Sequence, residues 1–232
     1  MGREDWYRRK TWTPQDREEF LARLKRSRGA CNKAQYARIQ AVELLATKKS
    51  ELVQPALELL DMMLAEWPEE TSQIAAAYQS RAECLIALNR IEEAIGDFRK
   101  VFEWQRRVPN VRTGAHLDFA WLVVTRRLAM LYGEALAGLD EFGGDEMFPF
   151  QGYMIAASRA LIAHEQGETE QARSWAKQAL EEASKTHTGF PYHPTLCLVE
   201  KPPNEQAHRR LQALANGDKP KGLLGFIKSF RN

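Results

Sequence analysis

The chain has 232 residues, 44% of them hydrophobic and 28% charged, with 33 Lys and Arg against 31 Asp and Glu. This is the composition of an ordinary soluble protein whose core needs neither metals nor staples. The 3 cysteines are odd in number and scattered, which excludes a disulfide framework and points to a reducing compartment.

Charge is unevenly placed. Residues 1–49 carry 13 basic and 6 acidic side chains, residues 50–200 carry 13 and 23, and residues 201–232 carry 7 and 2. An acidic body thus lies between two basic ends, which either fold back on it or engage a polyanion.

Trp6-Tyr-Arg-Arg-Lys-Thr-Trp12 mixes aromatic and basic residues, the chemistry that stacks on bases and neutralises phosphates. The alternative is an arm whose tryptophans pack on the body, and no nucleic-acid motif accompanies the stretch. Thr13-Pro14-Gln15-Asp16 reads as a helix start, with a hydroxyl N-cap, proline at the first helical position and an acid at the third. Phe20, Leu21 and Leu24 form the apolar stripe of a helix that stops near Gly29, and the next helix begins around Asn32. Residues 1–35 are therefore expected to form a basic arm and a capping helix.

Residues 36–185 repeat. Ala56 is followed by Leu60 and Met63, Ala94 by Phe98 and Val101, Ala135 by Leu139 and Phe142, and Ala172 by Ala176 and Ala179. Each set puts a small residue and its i+4 and i+7 partners on one helix face. Turn signals precede three of the four alanines, at Lys48-Lys49-Ser50, Asn89-Arg90 and Gly167-Glu168; the third unit has no clear breaker. Strand signals are confined to Thr195–Val199.

Ala82, Leu85, Asn89, Ala94, Phe98 and Val101, with Tyr132-Gly-Glu-Ala135, Gly167-Glu-Thr-Glu-Gln-Ala172 and Pro68, resemble the tetratricopeptide repeat family, and the whole chain resembles bacterial proteins of this type. The resemblance implies an all-α fold, an α-α superhelix of about four helical hairpins with N- and C-terminal capping helices. It is irregular, because the family period is about 34 residues and the intervals here are longer. An ordinary helical bundle is the alternative arrangement, and it is all-α as well.

The resemblance further implies that the first helix of each pair lines a concave surface. Phase mapping places there Arg38, Ala41, Leu45 and Lys49, then Gln79, Glu83 and Ile86, then Ala120, Val124 and Arg127, and finally Ala157, Leu161 and His164. A helix or loop of a partner protein would find apolar anchors on this wall, with register set by Arg38, Glu83 and Arg127. The other reading of each position is simple packing between helices.

Residues 186–218 read as a loop and a terminal helix. His187, His193 and Cys197 fall short of a structural zinc site, which wants four ligands at closer spacings, so an ordered loop packing Phe190 and Tyr192 on the last helices is expected. Residues 219–232 suggest an amphipathic tail with Leu223, Phe226, Ile227 and Phe230 on one face. Docking on the last repeat, binding a partner and weak membrane-surface anchoring all fit that tail.

No phosphate loop, nucleophile elbow, zinc helix or dinucleotide fingerprint is present, and no apolar leader or spanning segment is seen. The sequence is thus expected to encode a non-catalytic, cytoplasmic protein-interaction module without metal or cofactor. A sharper form is an immunity or inhibitor protein whose Glu66, Glu69 and Glu70 mimic a polyanionic substrate. A nucleic-acid-associated regulator using Arg8, Arg9 and Lys10, or an enzyme with a dispersed site, are the alternatives.

Overall fold

A computed structural model of the chain describes residues 5–144 and 146–217. Among these residues all regular structure is helical, with ten α-helices and no strand. The tail expected as amphipathic lies outside the described residues. Thr195–Val199 forms turns rather than an extended piece, with Cys197 at φ 54°. The chain divides into two compact units, one up to Ala115 and one from His116, a boundary inside the expected 36–185 repeat region.

The first unit holds α1 (Pro14–Arg26), α2 (Ala30–Leu45), α3 (Val53–Glu66), α4 (Thr71–Ala87) and α5 (Ile91–Arg107). Thr13 caps α1 as its sequence dictates: its hydroxyl accepts from the Asp16 amide, and the Asp16 carboxylate accepts from the Thr13 amide. α2 starts at Ala30, two residues before the expected Asn32, because Gly29 at φ 78° turns the chain directly into it. α2 packs on α3 and α4 on α5, and α4 also lies against α2 and α3. Ala56, Leu60, Met63, Ala94, Phe98 and Val101 are all fully buried, as their shared phase requires.

The second unit holds α6 (Ala115–Thr125), α7 (Tyr132–Phe142), α8 (Pro149–Glu165), α9 (Thr169–Ser184) and α10 (Glu205–Asn216). α8 packs on α9, with Ala172, Ala176 and Ala179 fully buried. Three alanines in place of larger residues let these two helices approach closely. In α7, Ala135 is fully buried and Leu139 nearly so. Asn204 caps α10 by accepting from the Ala207 amide, and the helix packs on α9 and α8 through Ala207, Leu211 and Leu214.

The two units share one internal plan. A 3-10 turn joins α2 to α3 at Ser50–Leu52 and α6 to α7 at Ala129–Leu131, 79 residues on. Positive-φ residues stop α4 at Asn89 and α8 at Gly167, 78 residues apart. α4 and α8 are each 17 residues long, and Ser-Arg-Ala stands at 80–82 in one and 158–160 in the other. The third hairpin, which has no recognisable breaker in its sequence, stops at Arg127: φ is 53°, and the Leu128 amide reaches back to the Val123 carbonyl. The same back-bond runs from Arg90 to Leu85 and from Glu168 to Ala163, so these three turns close with one left-handed cap.

Candidate interaction surface

The first unit has an outward face built from α2 and α4. Gln35, Arg38, Val42 and Leu45 follow one another on α2 at i, i+3 and i+4 spacing, and Ser72, Ala76, Gln79, Glu83 and Ile86 do so on α4; all are exposed or half-buried. The stripes are joined where Arg38 Nε donates to Gln73 Oε1 at 2.9 Å and where Cys31 Sγ lies 4.0 Å from Ser72 Oγ. Burial pulls the Arg38 pKa down, but a guanidinium starts so high that it stays charged at neutral pH. Lys49 stands exposed just past the end of α2. Six of the sequence-predicted wall residues are thus gathered here: Arg38, Leu45, Lys49, Gln79, Glu83 and Ile86.

The remainder of the predicted wall needs correction. Val124 is 4% exposed and Leu161 1%, and Ala41, Ala120 and Ala157 are fully buried, so these five belong to the core. The physical reason is that α6 (Ala-His-Leu-Asp-Phe-Ala-Trp-Leu-Val-Val-Thr) and much of α8 are apolar nearly all round. Such helices bury every face, so phase alone cannot assign one face to solvent. Arg127 is exposed, but in the left-handed turn after α6, and His164 is half-buried near the end of α8.

An ionic element absent from the sequence expectations recurs in both units. Arg81 on α4 donates through Nη1 to both Asp97 oxygens, at 2.8 and 2.7 Å, and through Nε to Asp61 at 2.6 Å. It therefore ties α3 and α5 to α4, and Lys100 adds a 3.2 Å contact to Asp97. Arg159 on α8 takes the matching place: it donates to Asp140 of α7 at 2.5 Å and lies 5.2 Å over the Trp175 ring of α9. Asp140 is 79 residues beyond Asp61 and Trp175 is 78 beyond Asp97. The repeated Ser-Arg-Ala was the available signal.

The basic arm lies on the opposite edge of α2 from Arg38. Arg9 donates to Asp16 at 2.6 Å and Glu19 at 2.7 Å, Arg8 to Glu43 at 3.0 Å, and Lys10 also to Glu43. The Thr13 amide, the hydroxyls nearby and Arg9 hold the Asp16 carboxyl at about 2, and Lys10 and Arg8 lower Glu43. The arm cations expected to serve a polyanion are engaged with carboxylates of the body.

Elsewhere in the first unit Leu64, Pro68, Ile74, Tyr78, Lys100, Glu103, Trp104 and Arg107 line a half-open cavity of about 370 Å³. Lys100 sits 4.9 Å over the Tyr78 ring, and Trp104 Nε1 donates to the Thr71 carbonyl at 3.1 Å. In the second unit Phe190 meets Phe148 at 5.4 Å, but Tyr192 is 91% exposed rather than packed on the helices. The His187 ring accepts from the Gly189 amide, and among the described residues no three His, Cys, Asp or Glu side chains gather as metal ligands would. Tyr153, fully buried, bonds His208 of α10 at 3.2 Å; burial lowers the His208 pKa and raises that of Tyr153 to about 12. Burial likewise pushes the Cys84 thiol to about 12, which makes it an inert core group.

Comparison with protein-family models, with curated proteins and with solved structures returns no match. The fold alone defines the class: an all-helical protein of two units sharing one order of helices and turns, and no described helix is long and apolar enough to cross a membrane.

Proposed function

We propose that the chain is a non-catalytic protein-interaction module of the tetratricopeptide-like solenoid kind, acting in the cytoplasm, and that it holds an amphipathic helix or loop of a partner on the outward face of α2 and α4. The observation that carries this reading is the composition of that face. Apolar Val42, Leu45, Ala76 and Ile86 alternate with Arg38, Gln79 and Glu83 on two helices that pack side by side. A groove between two such helices accepts a third through its i, i+3, i+4 and i+7 anchors, while flanking charges set its register. Because helices supply the wall, binding loses little to ordering.

The test is site-specific photo-crosslinking in cells of origin, with the crosslinker at Leu45 or Ile86 and a control at Glu58, an exposed residue of α3. A single discrete adduct from the first two positions, lost on Ile86→Glu with helicity unchanged, is expected. Equal labelling at Glu58, or adducts indifferent to Ile86→Glu, would overturn the assignment.

A second reading is polyanion contact through α1 and the start of α2, since Arg8, Arg9 and Lys10 of the arm are paired with carboxylates. Arg17, Lys25, Arg26, Arg28 and Lys33 have no ion pair among the described residues, and Arg26 flanks Trp6 at an open surface cavity. Nucleic-acid binding that falls steeply with salt and disappears on Lys25→Glu/Arg26→Glu, but not on Arg8→Ala, is what that reading expects.

A further inference from the structure

We infer that the corner between α1 and α2 is a recognition site for a basic-aromatic segment of a partner protein, and that residues 6–12 of the chain, a 3-10 turn through Tyr7 followed by irregular backbone, fill it in cis. Gln40 provides the first observation. Its side chain is fully buried, and both ends of its carboxamide are spent on the backbone of one residue: the Arg9 amide donates to Oε1 at 3.0 Å and Nε2 donates to the Arg9 carbonyl at 2.9 Å. A carboxamide that accepts from the amide and donates to the carbonyl of one residue holds backbone whatever side chain that residue carries.

Side chains then specify the sequence. Three consecutive cations meet three carboxylates, Arg9 on Asp16 and Glu19, and Arg8 and Lys10 together on Glu43. Only six acidic residues occur in the first 49, and half of them converge on this stretch. On either side sit aromatic contacts: Trp6 lies 5.3 Å from Phe20 and 5.1 Å from Tyr36, Tyr7 stacks on Tyr36 at 4.5 Å, and Trp12 reaches Phe20 at 5.4 Å. A strap that only covered apolar surface would need the tryptophans alone. A buried amide that reads backbone and an acid set in an otherwise basic region are the parts of a peptide site. The site is independent of the α2–α4 face, because Tyr36, Gln40 and Glu43 project from the other side of α2.

The experiment uses the full chain with the arm expelled by Trp6→Ala, Arg8→Glu and Arg9→Glu, and a labelled nine-residue peptide copying Asp5–Thr13 as probe. A tethered ligand competes at an effective concentration of about a millimolar, so the expelled chain binds the peptide at least roughly tenfold more tightly than the unaltered one. Adding Glu43→Gln weakens that capture about tenfold, and a peptide of the same composition in scrambled order binds neither chain. Absence of peptide binding by a chain whose helices are intact, or indifference to Glu43→Gln, overturns the proposal. If the expelled chain loses helicity, excess peptide is added to the unaltered chain instead. Faster hydrogen exchange at the Arg9 amide supports displacement, and an unchanged rate refutes it. A dimer of the unaltered chain that the peptide dissolves would make a second copy the occupant and overturn the assignment to a partner protein.

Discussion

Arg81 and Arg159 occupy matching places in the two units, yet their surroundings require different costs of removal. Arg81→Met leaves Asp97, whose side chain is 2% exposed, without its two short bonds, and frees Asp61, which is 50% exposed and returns to water at little cost. Breaking a buried pair from one side costs about 3–5 kcal/mol. Lys100, 3.2 Å from Asp97, offsets part of that, so about 3 kcal/mol is expected. Burial already pushes the Asp97 carboxyl up. Without Arg81 it rises further, and the deficit shrinks as pH is lowered and the carboxyl takes a proton.

Arg159→Met is the internal control. Asp140 is 66% exposed, so its bridge falls in the surface class of about 0–1 kcal/mol, and stacking on Trp175 adds roughly 0.5–1 kcal/mol. Arg159 Nε is also buried without a hydrogen-bond partner, and methionine removes that unsatisfied donor. Its cost should be about 1 kcal/mol, roughly 2 below that of Arg81→Met. Because the chain has two units, the measurement is hydrogen exchange under native conditions, read in α3–α5 for the first variant and in α7–α9 for the second. Equal costs for the two, or an Arg81→Met deficit that grows at low pH, would refute the reasoning. Restoration of stability by Arg81→Met/Asp97→Leu would support it.

Three further outcomes are expected. Arg127→Gly relieves a left-handed backbone at φ 53° and should stabilise the second unit by about 0.5–1 kcal/mol, seen as slower exchange in α6 and α7. Asp16 has its carboxyl held at about 2 against an ordinary 3.8, so its contribution to holding the arm is complete above 3.8 and is lost as pH falls towards 2; tryptophan emission should shift red only in that acid range, and arm release between pH 5 and 7 would contradict it. His208 has its pKa lowered from 6.5 by burial, so docking of α10 is complete above 6.5 and weakens as pH falls through the lowered value. Amide exchange in α10 should therefore accelerate in mild acid, and His208→Gln should remove that dependence.

Helix class and phase were legible because they rest on local periodicity. The cap at Thr13 and the burial of Ala56, Ala94, Ala135 and Ala172 follow from spacing alone. The stop at Arg127 was not legible, since arginine has no preference for the left-handed region that Arg127 adopts at φ 53°. Exposure was legible at Arg38, Leu45, Lys49, Gln79, Glu83 and Ile86, on or just past α2 and α4, which carry more polar residues overall than α6 and α8, but not at Ala41. It was illegible at Val124 and Leu161, where α6 and α8 are more apolar overall and offer few polar residues to orient them. The fate of the arm cations depended on three carboxylates 7 to 35 residues away in sequence, Asp16, Glu19 and Glu43, and no local pattern predicts such pairing.

Two units with one plan but different surfaces constrain where function resides. The shared parts are structural: the 3-10 turns, the left-handed caps, and an arginine on the first helix of the tight hairpin that reaches both second helices. What differs is the content of equivalent positions. Gln79, Glu83 and Ile86 of the first unit correspond to Ala157, Leu161 and His164 of the second, and Asp97 corresponds to Trp175. The equivalent positions of α4 and α8 thus differ in burial, Glu83 exposed and Gln79 and Ile86 half-buried where Ala157 and Leu161 are buried, and the proposed recognition face lies on the α4 side.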